Sequence, residues 1–471
     1  MSKGSKNKDK PKIKQSKLYG KRILAWCDSP RVATGFGVVA REILTGLAEK
    51  GALIDVIGIN DLGGWYAPQI FPFRIYPAMP GASPGGDVYG RQTLVAALMG
   101  DHTEITPPWD LIWVLGDHFI LEQAGPGVLE HGSSVFLRRA VEEWKKHDID
   151  TKLVFYTPVD SPLKENWVTR AIAPFDRIVS YTEYGVKEIL KACPVFETDQ
   201  LKEKIDVIPH GVDLAVFKPS SSEDLATFKE KYFGDWLKPE DFLIVNVNRN
   251  QPRKDLSRTL EVFRRFQQRV PDAKLYLHCA VQDAGGSIQE MARCLNLDMK
   301  LVKLPTQWHA SNPFPQEFMN LLYNSADAVI STTMGEGWGL SLTEAMSASR
   351  PVVFHNVTSI SEILGLEPNT TTVYDETVRG LGVRSSDMIC LGIGDLERVR
   401  PIASIDDFVS QLVWIYENED KALEMGARAR AWLVKSELSW KSVVSRWEKL
   451  LIEELEKNIE KPVALQEVPA L

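Results

Sequence analysis

No stretch of this 471-residue sequence holds the roughly 20 consecutive apolar residues needed to cross a bilayer as a helix, so no membrane span is expected. Cysteine is scarce and scattered. Cys27, Cys193, Cys279, Cys294 and Cys390 form no CxxC pair and are odd in number, which argues against a disulfide framework or a zinc site. The lysine-rich N-terminus has no apolar segment behind it, so it does not read as a secretory signal, and a cytoplasmic location is expected. Net positive charge is absent as well: the formal net charge is -8, and the body is more acidic than that because the first 22 residues are strongly basic. Broad electrostatic binding of nucleic acid by the body is therefore disfavoured. The tail, residues 1–20, lacks the apolar residues that would offset ordering entropy and reads as a disordered solubilising segment. Contact of that tail with modified nucleic acid or an anionic surface is the alternative.

The sequence does have the apolar content of a soluble globular protein, at 44% hydrophobic and 25% charged, in a chain too long for one core. Two domains are the expectation. RILAWC (22–27), LIDVIGI (53–59), LIWVL (111–115), KLVFY (152–156) and RIVSY (177–181) are short buried-strand patterns, and an amphipathic helix is predicted over 38–50. Residues 63–110 are rich in Gly and Pro and read as an irregular insertion. After the linker-like PSSSED a second cycle follows: FLIVNV (242–247), KLYLHCA (274–280), LVKLP (301–305), DAVIST (327–332) and PVVF (351–354), alternating with helices such as 256–268 and 315–324. Alternation of this kind predicts parallel sheets covered on both faces. The last helix carries Trp440, Val443, Val444, Trp447 and Leu451 on one face, so it should pack against another element.

The segment STTMGEGWGLSLTEAMSASRPVV (331–353) runs from a strand into a turn holding Gly335, Gly337 and Gly339, with a helix starting near Leu340. Glycines admit a ligand close to the backbone, and the free amides of a helix start attract a diphosphate. Glu336 and Glu344 bracket the turn. Carboxylates beside phosphate make sense where they accept hydrogen bonds from sugar hydroxyls; singly, each reads better as a solvated acid, and the pair with three glycines favours a binding role. A second loop, VNVNRNQPRKD (245–255), empties a strand into Arg249, Arg253 and Lys254, at the carboxyl end where ligands bind in parallel sheets. A plain basic surface loop is the alternative there. Asp148 and Asp150 mimic a DxD metal motif but precede a strand, so they read as a solvated turn, and no metal site is predicted.

Together IPHGVDLAVFKP (208–219), Arg249 with Lys254, LLYNSADAVIST (321–332) and GEGWGLSLTEAM (335–346) resemble the retaining glycosyltransferases of family 4, also called glycosyl transferases group 1. The resemblance covers most of residues 22–451 and implies an α/β GT-B fold: two Rossmann-like, doubly wound parallel-sheet domains with a cleft between them. Its implied boundaries are an acceptor-binding domain at 21–218, completed by a crossing helix at 440–459, a donor-nucleotide domain at 219–439, and a tail at 460–471. In that reading Arg249 and Lys254 bind the leaving diphosphate, and Glu336 meets the sugar hydroxyls. Gly337, Trp338, Gly339 and Leu340 supply amides, Glu344 holds the ribose, and Gly35 and Gly37 approach the phosphates. His118, in LGDHF, lies where the family often places a histidine beside the reacting sugar, or is a structural histidine at a strand end. The chain departs from the family at FYTPVDSP, where Val159 and Asp160 stand in place of a further histidine.

The implied activity is metal-independent transfer of a hexose-type sugar, with retention, from a nucleotide-diphosphate sugar to an acceptor hydroxyl. A UDP-sugar is the first expectation, with GDP- or ADP-sugars as alternatives, and no further cofactor is required. The acceptor is left open among a saccharide, a lipid-linked or small molecule, and modified nucleic acid. Stacking aromatics for it are Trp65, Tyr66, Tyr89, Trp109 and Trp113, each equally a core residue. Two other functions fit the same motifs: a non-catalytic sugar-nucleotide-binding scaffold, and a sugar-nucleotide epimerase.

Overall fold

The computed structural model describes residues 15–457 except 65–68, 79–86, 88, 103, 123–132, 164–170, 194–197, 309–313 and 393–397. The basic run 1–14, Trp65, Tyr66 and the tail from 458 onward lie outside the described residues.

The first sheet has seven parallel strands in the order β3-β2-β1-β4-β5-β6-β7. They are β1 Arg22–Asp28, β2 Leu53–Ile59, β3 Arg74–Pro77, β4 Leu111–Leu115, β5 Lys152–Thr157, β6 Arg177–Ser180 and β7 Ile205–Val207. Chain order reverses at β1, so the loops after β1 and β4 open side by side at the carboxyl edge of the sheet. The central strand β4 is buried at every residue, as its continuous apolar run requires of a strand covered on both faces.

A six-stranded parallel sheet follows, in the order β12-β9-β8-β13-β14-β15. Its strands are β8 Phe242–Val247, β9 Ala273–His278, β12 Val302–Lys303, β13 Ala328–Ser331, β14 Val352–His355 and β15 Leu381–Val383. Two small antiparallel ribbons leave it: β10 Gln282–Asp283 with β11 Gly286–Ser287, and β16 Ser385–Cys390 with β17 Val399–Ala403. The two-sheet α/β architecture expected from the alternating pattern is present.

The helix Trp440–Glu456 follows the second sheet in sequence but packs on the first. Trp440, Val443, Val444, Trp447 and Leu451 are all buried, and Trp447 meets Trp113 of β4 at 5.7 Å and Tyr156 of β5 at 4.8 Å. Where the chain returns, Val212 N–H donates to the Leu438 carbonyl at 2.8 Å, tying the two linkers together. Gly211 permits this approach, since a Cβ there would lie 2.7 Å from the Trp440 Cα.

Three sequence expectations need correction. Residues 63–110 are not simply irregular: β3 completes the sheet edge, and a helix spans Arg91–Met99. Gly90 and Gly100 cap that helix at both ends with φ of 66° and 77°, so residues that read as loop markers are helix boundaries. The helix predicted from residue 38 begins at Gly35, capped by the Thr34 hydroxyl, which accepts from the Gly37 N–H at 3.0 Å. Its two poor helix formers, Gly35 and Gly37, hid the first turn. Lastly, Trp109 and Trp113 are core residues, 1% and 0% exposed, and present no stacking surface to an acceptor. No described helix is long and apolar enough to cross a membrane.

Candidate functional site

The loops at the carboxyl edges of the two sheets face each other. Gly35, opening the helix after β1, lies opposite Leu340, opening the helix Leu340–Ser347 after β13; a Cβ on Gly35 would lie 3.8 Å from Leu340 Cδ1. Two helix N-termini with their unpaired amides thus converge on one cleft. Gly37 is required by packing, because a Cβ would overlap the Val32 carbonyl. Gly339 is required by conformation, at φ 103°.

A polar weave fixes the ends of β8 and β13. Asn248 Nδ2 donates to Ser331 Oγ at 3.1 Å, Thr332 Oγ1 donates to the Asp255 carbonyl at 2.8 Å, and Met334 N–H donates to the Arg253 carbonyl at 2.8 Å. These bonds place the short 3-10 turn Pro252–Lys254 directly against the glycine turn. Lys254 Nζ donates to Glu336 Oε1 in a buried ion pair, and Arg253 Nη1 stands 3.5 Å from Glu336 Oε2. The Glu336 backbone is pinned as well: Thr358 Oγ1 accepts from its N–H at 3.0 Å, and Ser359 Oγ donates to its carbonyl at 2.7 Å.

Burial and the adjacent Arg253 guanidinium bring the Lys254 ammonium down to about 8. Burial pushes the Glu336 carboxyl up, but Lys254 and Arg253 outweigh it and hold it below its usual range. Glu344, one helical turn on, accepts from Tyr323 Oη at 2.8 Å, and burial raises its carboxyl to about 7.

Lys254 and Glu336 are brought together, with Gly337, Trp338, Gly339 and Leu340 beside them. Arg249 is not part of that contact: its Nε pairs with Asp283 Oδ2 at 2.8 Å on the exposed side of the loop. It still acts across the cleft, where its charge lowers the carboxyl of Asp28, which burial raises. Arg253, named among the loop cations but given no role in the sequence reading, is the arginine that reaches Glu336.

His118 is buried at the end of β4, with its Nε2 3.4 Å from Arg398 Nη2. Burial, followed by the Arg398 charge, lowers its pKa to about 3, so the ring is neutral at physiological pH. A guanidinium can only donate, so Nε2 accepts and the ring proton sits on Nδ1. Beside it burial, with the nearby Asp160 carboxylate, pushes Asp117 up to about 6.

Sequence reasoning missed Arg398, just before β17, and Arg400 within it, both buried, which reach across to Asp160 after β5. The available signal was the R-V-R alternation at 398–400, with Arg398 immediately before β17 and Arg400 within it. Asp148 and Asp150 lie before β5, at the edge of the sheet opposite the cleft. Among the described residues no group of three or more His, Cys, Asp or Glu is arranged to hold a metal ion.

Two α/β units meeting at such a cleft, with a terminal helix crossing back, define the GT-B fold of glycosyltransferases. Residues 228–377 match the family described as glycosyl transferases group 1. It is 24% identical over 283 residues to the trehalose synthase of Thermococcus litoralis, covering 58% of this chain and 57% of that one. It is 30% identical over 185 residues to the D-inositol 3-phosphate glycosyltransferase of Corynebacterium kroppenstedtii, covering 38% of each. The chain thus spans little more than half the length of the trehalose synthase it matches. Among solved structures, the sucrose-phosphate synthase of Thermosynechococcus elongatus superposes with a TM-score of 0.64 at 15% identity, over 92% of this chain and 98% of that one. A glycosyltransferase from Rickettsia africae gives 0.63 at 15% identity, over 93% and 100%. At such identities the likeness is one of fold.

Proposed function

We propose that this protein is a retaining glycosyltransferase that moves a hexose-type sugar from a nucleotide-diphosphate sugar to an acceptor hydroxyl, without a metal ion. The observation that carries this reading is the buried Lys254–Glu336 pair, set between two facing helix N-termini. Breaking the bond from sugar to phosphate leaves negative charge on the diphosphate. Lys254, Arg253 and the amides of Gly337–Leu340 are fixed where that charge develops, so they lower the barrier without reorganising. They supply the positive charge a divalent ion would otherwise bring.

Glu336 takes the hydroxyls of the transferred sugar, and its own cations keep it ionised and accepting. Glu344 takes the ribose. Arg249 turns from Asp283 toward the outer phosphate when donor binds; its reach is set by the long, half-exposed side chain. His118, neutral and oriented by Arg398, faces the reacting centre from the acceptor domain. Attack by the acceptor on the face the diphosphate leaves is the course that the likeness of GEGWGLSLTEAM (335–346) to retaining glycosyltransferases supports.

The test is a turnover screen with UDP-, GDP- and ADP-hexoses, with and without EDTA, reading released nucleotide and the anomeric configuration of the product. Turnover with retention, unchanged by EDTA and lost in Lys254→Ala and Glu336→Ala, supports the reading. Full activity in both variants would falsify the site, and nucleotide binding without turnover would make the protein a scaffold.

A further inference from the structure

Asp160 stands in the loop after β5, in the first unit, at the point where the chain departs from the glycosyltransferases it resembles. Its carboxylate nevertheless meets the second unit's Glu336 turn through Arg253. Asp160 Oδ2 lies 3.4 Å from Arg253 Nε. The same guanidinium donates from Nη1 to the Gly335 carbonyl at 2.9 Å, and that Nη1 stands 3.5 Å from Glu336 Oε2. A guanidinium is planar and rigid, so a carboxylate that fixes its Nε edge aims its other edge. Here the other edge faces the turn that carries Glu336.

Asp160 is itself held in place. Arg398, just before β17, brings Nη1 to 3.1 Å from Oδ1. Arg400, within β17, donates from Nη2 to Oδ1 at 3.2 Å and from Nη1 to the Asp160 carbonyl at 2.9 Å. Side chain and backbone are both gripped, which keeps the carboxylate turned toward Arg253. The approach of the two units is close at this point, since a Cβ on Gly335 would overlap the Asp160 carbonyl.

The electrostatics agree with the geometry. Burial pushes the Asp160 carboxyl up, yet Arg253, Arg400 and Arg398 hold it well below the usual carboxylate range, so it is ionised at neutral pH. Its charge reaches Lys254. Burial and Arg253 lower the Lys254 ammonium, Glu336 and Asp160 raise it, and the balance is the value of about 8.

We propose that Asp160 is a positioning residue of the Lys254–Glu336 site: from the first unit it orients Arg253, and through Arg253 the Gly335–Glu336 turn, so that the site is complete only when the units meet there. The inference rests on the sugar-transfer reading and adds to it a residue that reading leaves without a role.

The test compares wild type, Asp160→Asn and Asp160→Glu in the full chain. The Lys254 titration is read by NMR on protein carrying lysine labelled with 13C at Cε, its signal assigned by its loss in Lys254→Arg. The midpoint should lie near 8 in the wild type and about half a pH unit or more lower in Asp160→Asn, which removes an attractive charge and frees Arg253 of its counter-ion. Turnover is measured at about pH 6, where Lys254 is charged in every variant. There kcat should fall about tenfold or more in Asp160→Asn while the donor KM moves less, because the sugar end of the site is disturbed. Asp160→Glu keeps the charge and displaces it by one methylene, so its midpoint should stay near 8 while kcat falls. A carboxylate that only braces the two units predicts a lower melting temperature in Asp160→Asn with the Lys254 midpoint unmoved, and that result overturns the proposal. An unchanged kcat in Asp160→Asn overturns it too. Absence of turnover in the wild type with any nucleotide sugar overturns the sugar-transfer reading instead, and the Lys254 midpoint then decides on Asp160 alone. If Asp160→Asn does not fold, Asp160→Glu decides: a wild-type kcat in that variant overturns the proposal.

Discussion

Lys254 and Glu336 form one buried ion pair although 82 residues separate them, and that pair joins the strand-end loop of β8 to the glycine turn after β13. Because burial and Arg253 bring Lys254 down to about 8, its charge is lost within an accessible pH range. Below that value the ammonium is present, and on the proposed reading it grips the diphosphate; above it the charge is lost. The rate constant kcat/KM for the donor, which reports groups of the free enzyme, should therefore fall above pH 8. Lys254→Arg, charged throughout, should lack that alkaline limb, and Lys254→Ala should lose about 10²-fold in kcat at pH 7. A limb at the same pH in the arginine variant would assign the titration elsewhere.

Glu344 and Tyr323 predict a trade between stability and binding. The Glu344 carboxyl is raised from 4.5 to about 7 by burial, so the folded state holds its proton more tightly than the unfolded one. Its contribution to stability is fully present below pH 4.5 and is lost as pH rises through 7. Glu344→Gln keeps the shape without titrating. Relative to wild type, the variant should gain stability between pH 4.5 and pH 8, by up to about 3 kcal/mol in urea unfolding. UDP affinity should fall about tenfold if the carboxylate holds the ribose, the loss of one hydrogen bond to a charged group. A stability difference that stays flat with pH would show that the carboxyl is not raised.

The closeness of the two units at the glycine turn can be tested through Gly337, where a Cβ would lie 2.6 Å from Pro158 Cβ and 3.3 Å from Tyr181 Cδ2. Pro158 is rigid and Tyr181 is buried, so neither yields easily. Gly337→Ala should push the turn away from the first unit and, on the proposed reading, lower kcat together with UDP affinity, since the Gly337 amide is among those assigned to the diphosphate. Melting temperature should fall by only a few degrees, since the clash is relieved by opening the cleft. Unchanged kcat in that variant would mean that the turn does not close on Pro158 during catalysis.

How much of this was legible beforehand follows from what each signal depends on. Strands such as LIWVL and FLIVNV are buried on both faces, and an uninterrupted apolar run states that directly. The pairing of Lys254 with Glu336 was foreseeable because both sit at strand ends in a fold that gathers strand ends together. Arg249 reads as the equal of Arg253 in sequence; only the 3-10 turn at Pro252–Lys254 decides which one faces Glu336. Arg398 and Arg400 were harder. Their ribbon is short, with one exposed face, and its Met388, Ile389 and Val399 are exposed apolar residues that give no core signal. Their partner Asp160 lies more than 230 residues away, a contact that local periodicity does not encode.

The crossing helix gives a final prediction, one of stability. Gly46, in the middle of the helix Gly35–Glu49, would on helix propensity be improved by alanine, by about 1 kcal/mol. Packing opposes this, because a Cβ at Gly46 would lie 2.5 Å from Val444 Cγ2 and 2.7 Å from Cγ1 on the helix Trp440–Glu456. Both atoms branch from Val444 Cβ, itself 3.1 Å away, so no rotamer clears the space without moving a helix. Overpacking of this kind costs about 1–3 kcal/mol, so Gly46→Ala should be net destabilising in urea unfolding. Adding Val444→Ala should restore part of the loss, a positive coupling that two independent sites would not show. Trp447→Ala removes the ring between Trp113 and Tyr156 and should cost about 3–5 kcal/mol. If Gly46→Ala instead stabilised the protein, the two helices would not cross in contact at this point, and the C-terminal helix would not be the element that closes the first unit.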